Sequence, residues 1–302
     1  MTVSLYALTV LIWGTTWIAI KLQLGAVPIE ASIIYRFTLA AALLFAWLLA
    51  RRRLQRLSAA DHLWTLAQGA CLFCINFVCF YTATGYISSG TVSVVFSAAT
   101  VFNAVNGRIF FGRALSARML GGAAFGVLGL TLLFWRELAG GNSDTLRGIG
   151  YAALGTLCFS FGNMISARHQ AHGLRPLSSN AWGMLYGALL LTLWAWLHGI
   201  SFRIDSTPVY LGALLYLAIP GSVIGFTAYL TLVGRIGAER AAYATVLFPV
   251  VALSISSLVE GYRWTPLAGA GLTLVMAGNV LVFAAPRAPA AAAISARPAL
   301  PR

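Results

Sequence analysis

The sequence predicts an all-α integral membrane protein, with ten transmembrane helices forming two inverted five-helix repeats around a central cavity. Three observations predict it. First, 60% of the 302 residues are apolar and only 9% are charged, whereas a soluble domain carries about 25% charged residues. Second, the apolar residues fall into blocks of about 20, the length that spans a hydrocarbon core of roughly 30 Å. Third, the second half echoes the first at an offset of about 148–149 residues, a period that signals an internal repeat. Gly112, Gly122 and Gly129 fall on Gly261, Gly271 and Gly278, and Gly14 falls on Gly162.

Ten blocks lie at about 3–22, 31–50, 62–84, 90–110, 117–136, 147–168, 177–199, 208–233, 238–258 and 265–285. They are too long for barrel strands and lack alternating polarity. With no water in the bilayer core to satisfy backbone groups, they must be helices. The first block has no basic leader and holds Trp13 and Trp17, so it reads as a span rather than a cleaved signal. Residues 1–142 make the first repeat and 143–285 the second. Residues 286–302 are Pro/Ala-rich and read as a disordered cytoplasmic tail.

Charge tests the count. With the N-terminus in the cytoplasm, fourteen of the 20 Lys and Arg residues fall on the inner side, five on the outer side, and Arg36 within a span. That bias favours ten crossings with both termini inside. It also explains the net charge of +13 without nucleic acid, for which no basic stripe with interleaved aromatics exists. Five crossings is an odd number, so the second copy is inverted. Inverted repeats build transporters with the substrate site near the midplane, and two copies that exchange unequal conformations give alternating access.

The membrane interior excludes several chemistries. All seven acids (Glu30, Asp61, Glu137, Asp144, Asp205, Glu239 and Glu260) sit at block ends or in loops. Proton relays and cation pockets normally use buried carboxylates, so a dedicated proton antiporter for cationic drugs is disfavoured. No carboxylate pair, Ser–His pair or metal set lies at depth, which argues against an enzyme and against a cofactor. Cys71, Cys74, Cys79 and Cys158 lie in apolar blocks and read as small hydrophobes. The expected partners are a small-molecule substrate and the lipid bilayer, with the protein a monomer or homodimer.

Candidate cavity residues come from polar faces and deep aromatics. Block 4 places Ser93, Ser97, Thr100, Asn103 and Gly107 at steps of 3 and 4, one helical face. Block 9 answers with Thr245, Pro249, Ala252 and Ser256, block 8 with Ser222, Phe226 and Tyr229, and block 6 with Thr156, Ser160 and Asn163. Block 1 gives Thr9, Trp13, Thr16 and Trp17. These faces line a cavity or act as glue between helices. Trp17, Trp182, Tyr186, Phe226 and Tyr229 are deep aromatics. Asn76 is either a ligand contact or a helix-to-helix bond. Arg36 either meets a substrate carboxylate or is structural, snorkelling or bonded to a neighbouring helix, and its expected role is gating or structural. Pro220-Gly221 and Pro249 remove backbone hydrogen bonds and mark hinges or static kinks. Blocks 5 and 10 carry close-spaced glycines and read as scaffold or as a dimer face. Such a cavity suits a neutral, zwitterionic or aromatic solute.

Particular motifs carry a resemblance. Trp13-Gly14-Thr15, Tyr35-Arg36-Phe37, Phe248-Pro249-Val250 and Val259-Glu260-Gly261, in this order on a ten-span layout, resemble the drug/metabolite transporter superfamily in its EamA-type branch of exporters. The resemblance covers residues 3–285. It implies a bacterial inner-membrane exporter of amino acids or related metabolites, with uptake or efflux of lipophilic cations by the same fold as the alternative. Thr100 stands where the first copy would carry a proline like Pro249, and Phe111 where an acid like Glu260 is usual. The resemblance therefore implies a first copy that is stiffer at its fourth helix.

Overall fold

In the computed structural model, helices account for nearly all of the described residues, 2–112, 115–135, 139, 142–241 and 244–283, and no strand occurs among them. The tail 286–302, Arg113, Arg136 and Glu137 lie outside the described residues, as do the side chains of Glu239 and Arg240. The helices are α1 (Thr2–Lys21), α2 (Ile29–Ala50), α3 (Ala59–Tyr86), α4 (Ser89–Phe111), α5 (Ala117–Leu133), α6 (Ser143–Ala171), α7 (Pro176–Leu197), α8 (Pro208–Ile236), α9 (Ala244–Val259) and α10 (Pro266–Phe283). A short helical turn, Ala238–Ala241, precedes α9.

Local chemistry sets the ends. Ser58, Ser88, Ser116, Asn142 and Thr207 cap α3, α4, α5, α6 and α8 by accepting hydrogen bonds from first-turn N–H groups. Pro176 and Pro208 occupy the first turns of α7 and α8, where a missing N–H costs nothing. Gly112 ends α4 with φ 65°, a left-handed cap that lacks a Cβ penalty.

Two helices widen in mid-course. α3 passes through a π-helical stretch at Ala70–Ile75, and α8 through another at Leu217–Ile224. Pro220 lies inside the second, so the Pro220-Gly221 hinge position is a wide turn in a continuous rod. α4 breaks its regular pattern between Phe96 and Ala99. Pro249 sits inside α9, which runs on through it.

Among the described residues, six helices are long and apolar enough to cross a membrane: α1, α2, α3, α4, α6 and α8. Shorter apolar helices lie in α5, α9 and α10. Leu11, Leu49, Val127, Leu193, Trp196 and Leu258 are among many large apolar side chains on the outside. A belt of this size would be an aggregation liability in water and suits lipid.

Packing places α5 along α10, largely apart from the rest. An added Cβ on Gly129 would lie 2.6 Å from the Gly271 carbonyl oxygen, and one on Gly278 would lie 2.5 Å from the Gly122 carbonyl oxygen. The small-residue faces of these two helices therefore meet each other within one chain. Among the described residues, α1–α4 and α6–α9 enclose the core. α2 lies along α7, α1 along α8 and α9, α4 between α6 and α9, and α3 between α6 and α7.

Candidate functional site

Where α1, α2, α3, α4, α6 and α8 converge, a cavity of about 30 Å³ remains, enough for a few waters. Its wall is mostly aromatic: Trp13, Trp17, Phe77, Phe80, Phe96, Phe159 and Phe226, with Thr16, Ile20, Arg36 and Asn76 between them.

The tryptophans of α1 organise this wall. The Trp13 ring lies 4.7 Å from Phe226, 4.9 Å from Tyr229, and 5.9 Å from both Phe159 and Phe248. Its Nε1 donates to the Gly221 carbonyl at 3.0 Å, inside the wide turn of α8. The indole can lie across α8 only because residue 225 is glycine; an added Cβ there would sit 2.4 Å from Trp13 Nε1. Trp17 packs 5.3 Å from Phe80 and 5.4 Å from Phe96. These edge and tilted contacts match the ring quadrupoles.

Arg36 is among the largest fully buried side chains in the protein, 1% exposed. Its Nε donates to Ser222 Oγ at 2.9 Å, and that hydroxyl donates to the Leu217 carbonyl at 2.8 Å. The guanidinium lies 4.3 Å from the Phe77 ring centre and 5.0 Å from that of Phe37. No carboxylate among the described residues pairs with it. Arg36 Nη1, both amide atoms of Asn76 and Trp17 Nε1 are buried and have no hydrogen-bond partner.

Of the residues expected to line a cavity, the structure brings Trp13, Trp17, Asn76 and Phe226 into this wall, together with Arg36. Most of the others lie elsewhere. On α4, Ser93 donates to Gly90 O and Ser97 to Val94 O, while Thr100 pairs with Asn279 of α10. Asn103 donates to Ala238 O at 3.3 Å and accepts from Asn163, which also donates to the Tyr229 hydroxyl at 3.1 Å. This amide cluster lies toward the side on which α1 begins. Thr245 is buried beside it in sequence, near the start of α9. Trp182 and Tyr186 of α7 face away, toward Phe45 and His62; the Tyr186 hydroxyl is 2.7 Å from His62 Nδ1.

On the opposite side of the cavity Glu260 ties α4 to α9. Its carboxylate accepts from the Ser89 backbone N–H at 3.2 Å and from the hydroxyls of Ser89 and Ser256. Phe77, Phe80, Phe96 and Phe159 went unnoticed in the sequence because an aromatic in an apolar block carries no mark of which way it faces.

An apolar exterior, an aromatic-walled central cavity and buried polar atoms beside it fit a multi-pass membrane protein that handles a small molecule. The EamA-like transporter family model matches residues 1–135 and 146–284, and the chain belongs to that family. It is 30% identical to the "Probable amino-acid metabolite efflux pump" of Escherichia coli (strain K12), over 90% of this chain and 91% of that one. It is 28% identical to the protein of the same name in Salmonella typhimurium, over 91% and 93%. A solved crystal structure of a chain 17% identical shares the fold, with a TM-score of 0.65 over 93% of this chain and 95% of that one. The protein is a transporter and not an enzyme, and it works in a lipid bilayer on a small-molecule substrate.

Proposed function

We propose that the protein exports small metabolites, amino acids or related neutral, zwitterionic or aromatic compounds, by alternating access. In this reading ten crossings in a bacterial inner membrane form two inverted repeats, with both termini in the cytoplasm. One observation carries the proposal: each wide turn connects directly to the cavity wall, that of α3 by running into the lining residue Asn76 and that of α8 by bonding to the lining residues Trp13 and Arg36. Asn76 follows the wide turn of α3, and Gly221 and Ser222 lie in that of α8. An offset of about 148 residues carries Ala70–Ile75 onto 218–223, within Leu217–Ile224.

Further pairings support the repeat. Gly25 and Gly112 have positive φ, and so do Gly173 and Gly261 at the same offset. α1 packs on α9 as α6 packs on α4, and α2 packs on α8 as α7 packs on α3. Gly129 meets Gly271 as Gly278 meets Gly122. Two copies that pack reciprocally can trade their unequal conformations, opening the cavity first to one side and then to the other. The names of the relatives support export of amino-acid metabolites, and the described residues place no carboxylate in the cavity wall, which disfavours cationic drugs.

Counterflow in proteoliposomes tests this. Saturable, stereoselective exchange of neutral or zwitterionic metabolites is expected. Movement of lipophilic cations alone would sink the metabolite reading, and non-saturable flux would point to a channel.

A further inference from the structure

We infer that Arg36, Asn76 and Trp17 form a carboxylate-recognition site, so that the substrate is an organic acid with an apolar or aromatic body. The inference rests on the exporter reading and names the chemistry of the same cavity.

Consider first what Arg36 lacks. A guanidinium presents five N–H donors and is always charged. Here Nε is used by Ser222, while Nη1 is buried without a partner. An uncompensated buried cation is costly unless something anionic meets it. The faces of Phe77 and Phe37 offset only part of that cost. A snorkelling arginine would keep its head in water or headgroups, yet this one is 1% exposed and opens onto the cavity. A purely structural arginine would spend its donors on the helices around it. Arg36 holds the Ser222 hydroxyl through Nε, has the buried Tyr81 hydroxyl as a second neighbour, and still leaves Nη1 unspent.

The neighbours complete the pattern. Trp17 Nε1 and Asn76 Nδ2 are donors without partners in the same wall, and Asn76 Oδ1 is an acceptor without one. Two free donor side chains beside a fixed positive charge that has its own free N–H are the complement of a carboxylate. The lone acceptor can take one N–H of an ammonium, an amide or a hydroxyl. No acid among the described residues lines the cavity, so an amine is tolerated rather than required. The ring walls supply contact for an apolar body. In the described conformation the cavity holds only about 30 Å³, so the substrate enters when the aromatic walls part. Ser222 is a positioning residue: it fixes Nε and so aims the rest of the fork.

Three probes separate the charges: 3-phenylpropionate, L-phenylalanine and L-phenylalaninamide. The purified full-length protein should bind the first two, read by intrinsic tryptophan fluorescence, and bind the amide at least tenfold more weakly. Arg36→Gln should lose at least tenfold in affinity for both carboxylates and almost nothing for the amide. Arg36→Lys, which keeps the charge but not the fork, should recover part of it. Ser222→Ala should raise the KM for carboxylates several-fold in counterflow and leave the maximal rate. Monodispersity and an unchanged melting midpoint show that a variant is folded; if Arg36→Gln fails this check, Asn76→Leu is read instead, with the same preferential loss expected.

Equal binding of 3-phenylpropionate by wild type and a folded variant overturns the inference, as does tighter binding of the amide than of the acid. Carboxylate binding that needs Arg36 but is never followed by translocation upholds the site and defeats the exporter reading. Vigorous counterflow of amides without acids does the reverse.

Discussion

Replacing single glycines by alanine along α5 and α10 separates packing from helix propensity, because the two helices carry both buried and open glycines. A Cβ on Gly129 would meet the Gly271 carbonyl oxygen at 2.6 Å and the Val275 backbone nitrogen at 2.8 Å; on Gly271 it would meet the Gly129 oxygen at 2.5 Å. Reaching ordinary contact at 3.4 Å requires the two backbones to part by roughly 0.8 Å, which forfeits much of the dispersion along the seam. Overpacking of this kind costs about 1–3 kcal/mol, set against a gain of about 1 kcal/mol from the better helix former. Gly121, Gly126 and Gly269 face open space, with nothing within 4 Å of an added Cβ, and collect only the gain. The buried set should therefore melt roughly 2–10 °C below the open set in detergent. Transport KM should not move in either set, since neither helix reaches the cavity. Equal midpoints for Gly129→Ala and Gly126→Ala would refute the packing argument.

Two further outcomes are expected. Glu260→Ala removes the group that holds Ser89 and Ser256, at a cost of about 1–2 kcal/mol for a lost cap. In a background without the four native cysteines, Ser93→Cys should then react faster with an impermeant thiol reagent, and unchanged labelling would reduce Glu260 to a local cap. Pro249→Ala restores a backbone hydrogen bond inside α9, worth on the order of 3 kcal/mol to the straight helix. Turnover in counterflow should slow several-fold with KM nearly constant; unaltered turnover would mean that the proline is only a fixed bend.

The helical runs were legible in the sequence because a bilayer leaves the backbone no other choice, and length is then enough. The glycines of α5 and α10 marked faces for close approach, read as scaffold or as a dimer face; that the two faces meet each other was not legible, because a small-residue face does not name its partner. Azimuth was harder. Ser93 and Ser97 form a polar stripe that reads as a wet face, yet each hydroxyl turns back to a carbonyl of its own helix, which satisfies the group without water. Trp182 and Tyr186 pack toward Phe45 and His62 and not into the cavity wall, because direction follows from packing, which counting residues along a block does not give. The wide turn of α8 is announced by Pro220, whereas that of α3, Ala70–Ile75, contains no proline or glycine and leaves no compositional trace.

That unannounced turn governs where a donor points. A π turn stores one surplus residue, and one residue in an α-helix is worth about 100° of rotation. Everything on α3 beyond Ile75 is swung by that amount relative to Ala59–Gly69. Asn76 and Phe80 owe their bearing on the cavity to this swing. The two ends of the rod thus obey different compasses, and a stripe traced along one end gives no heading for the other.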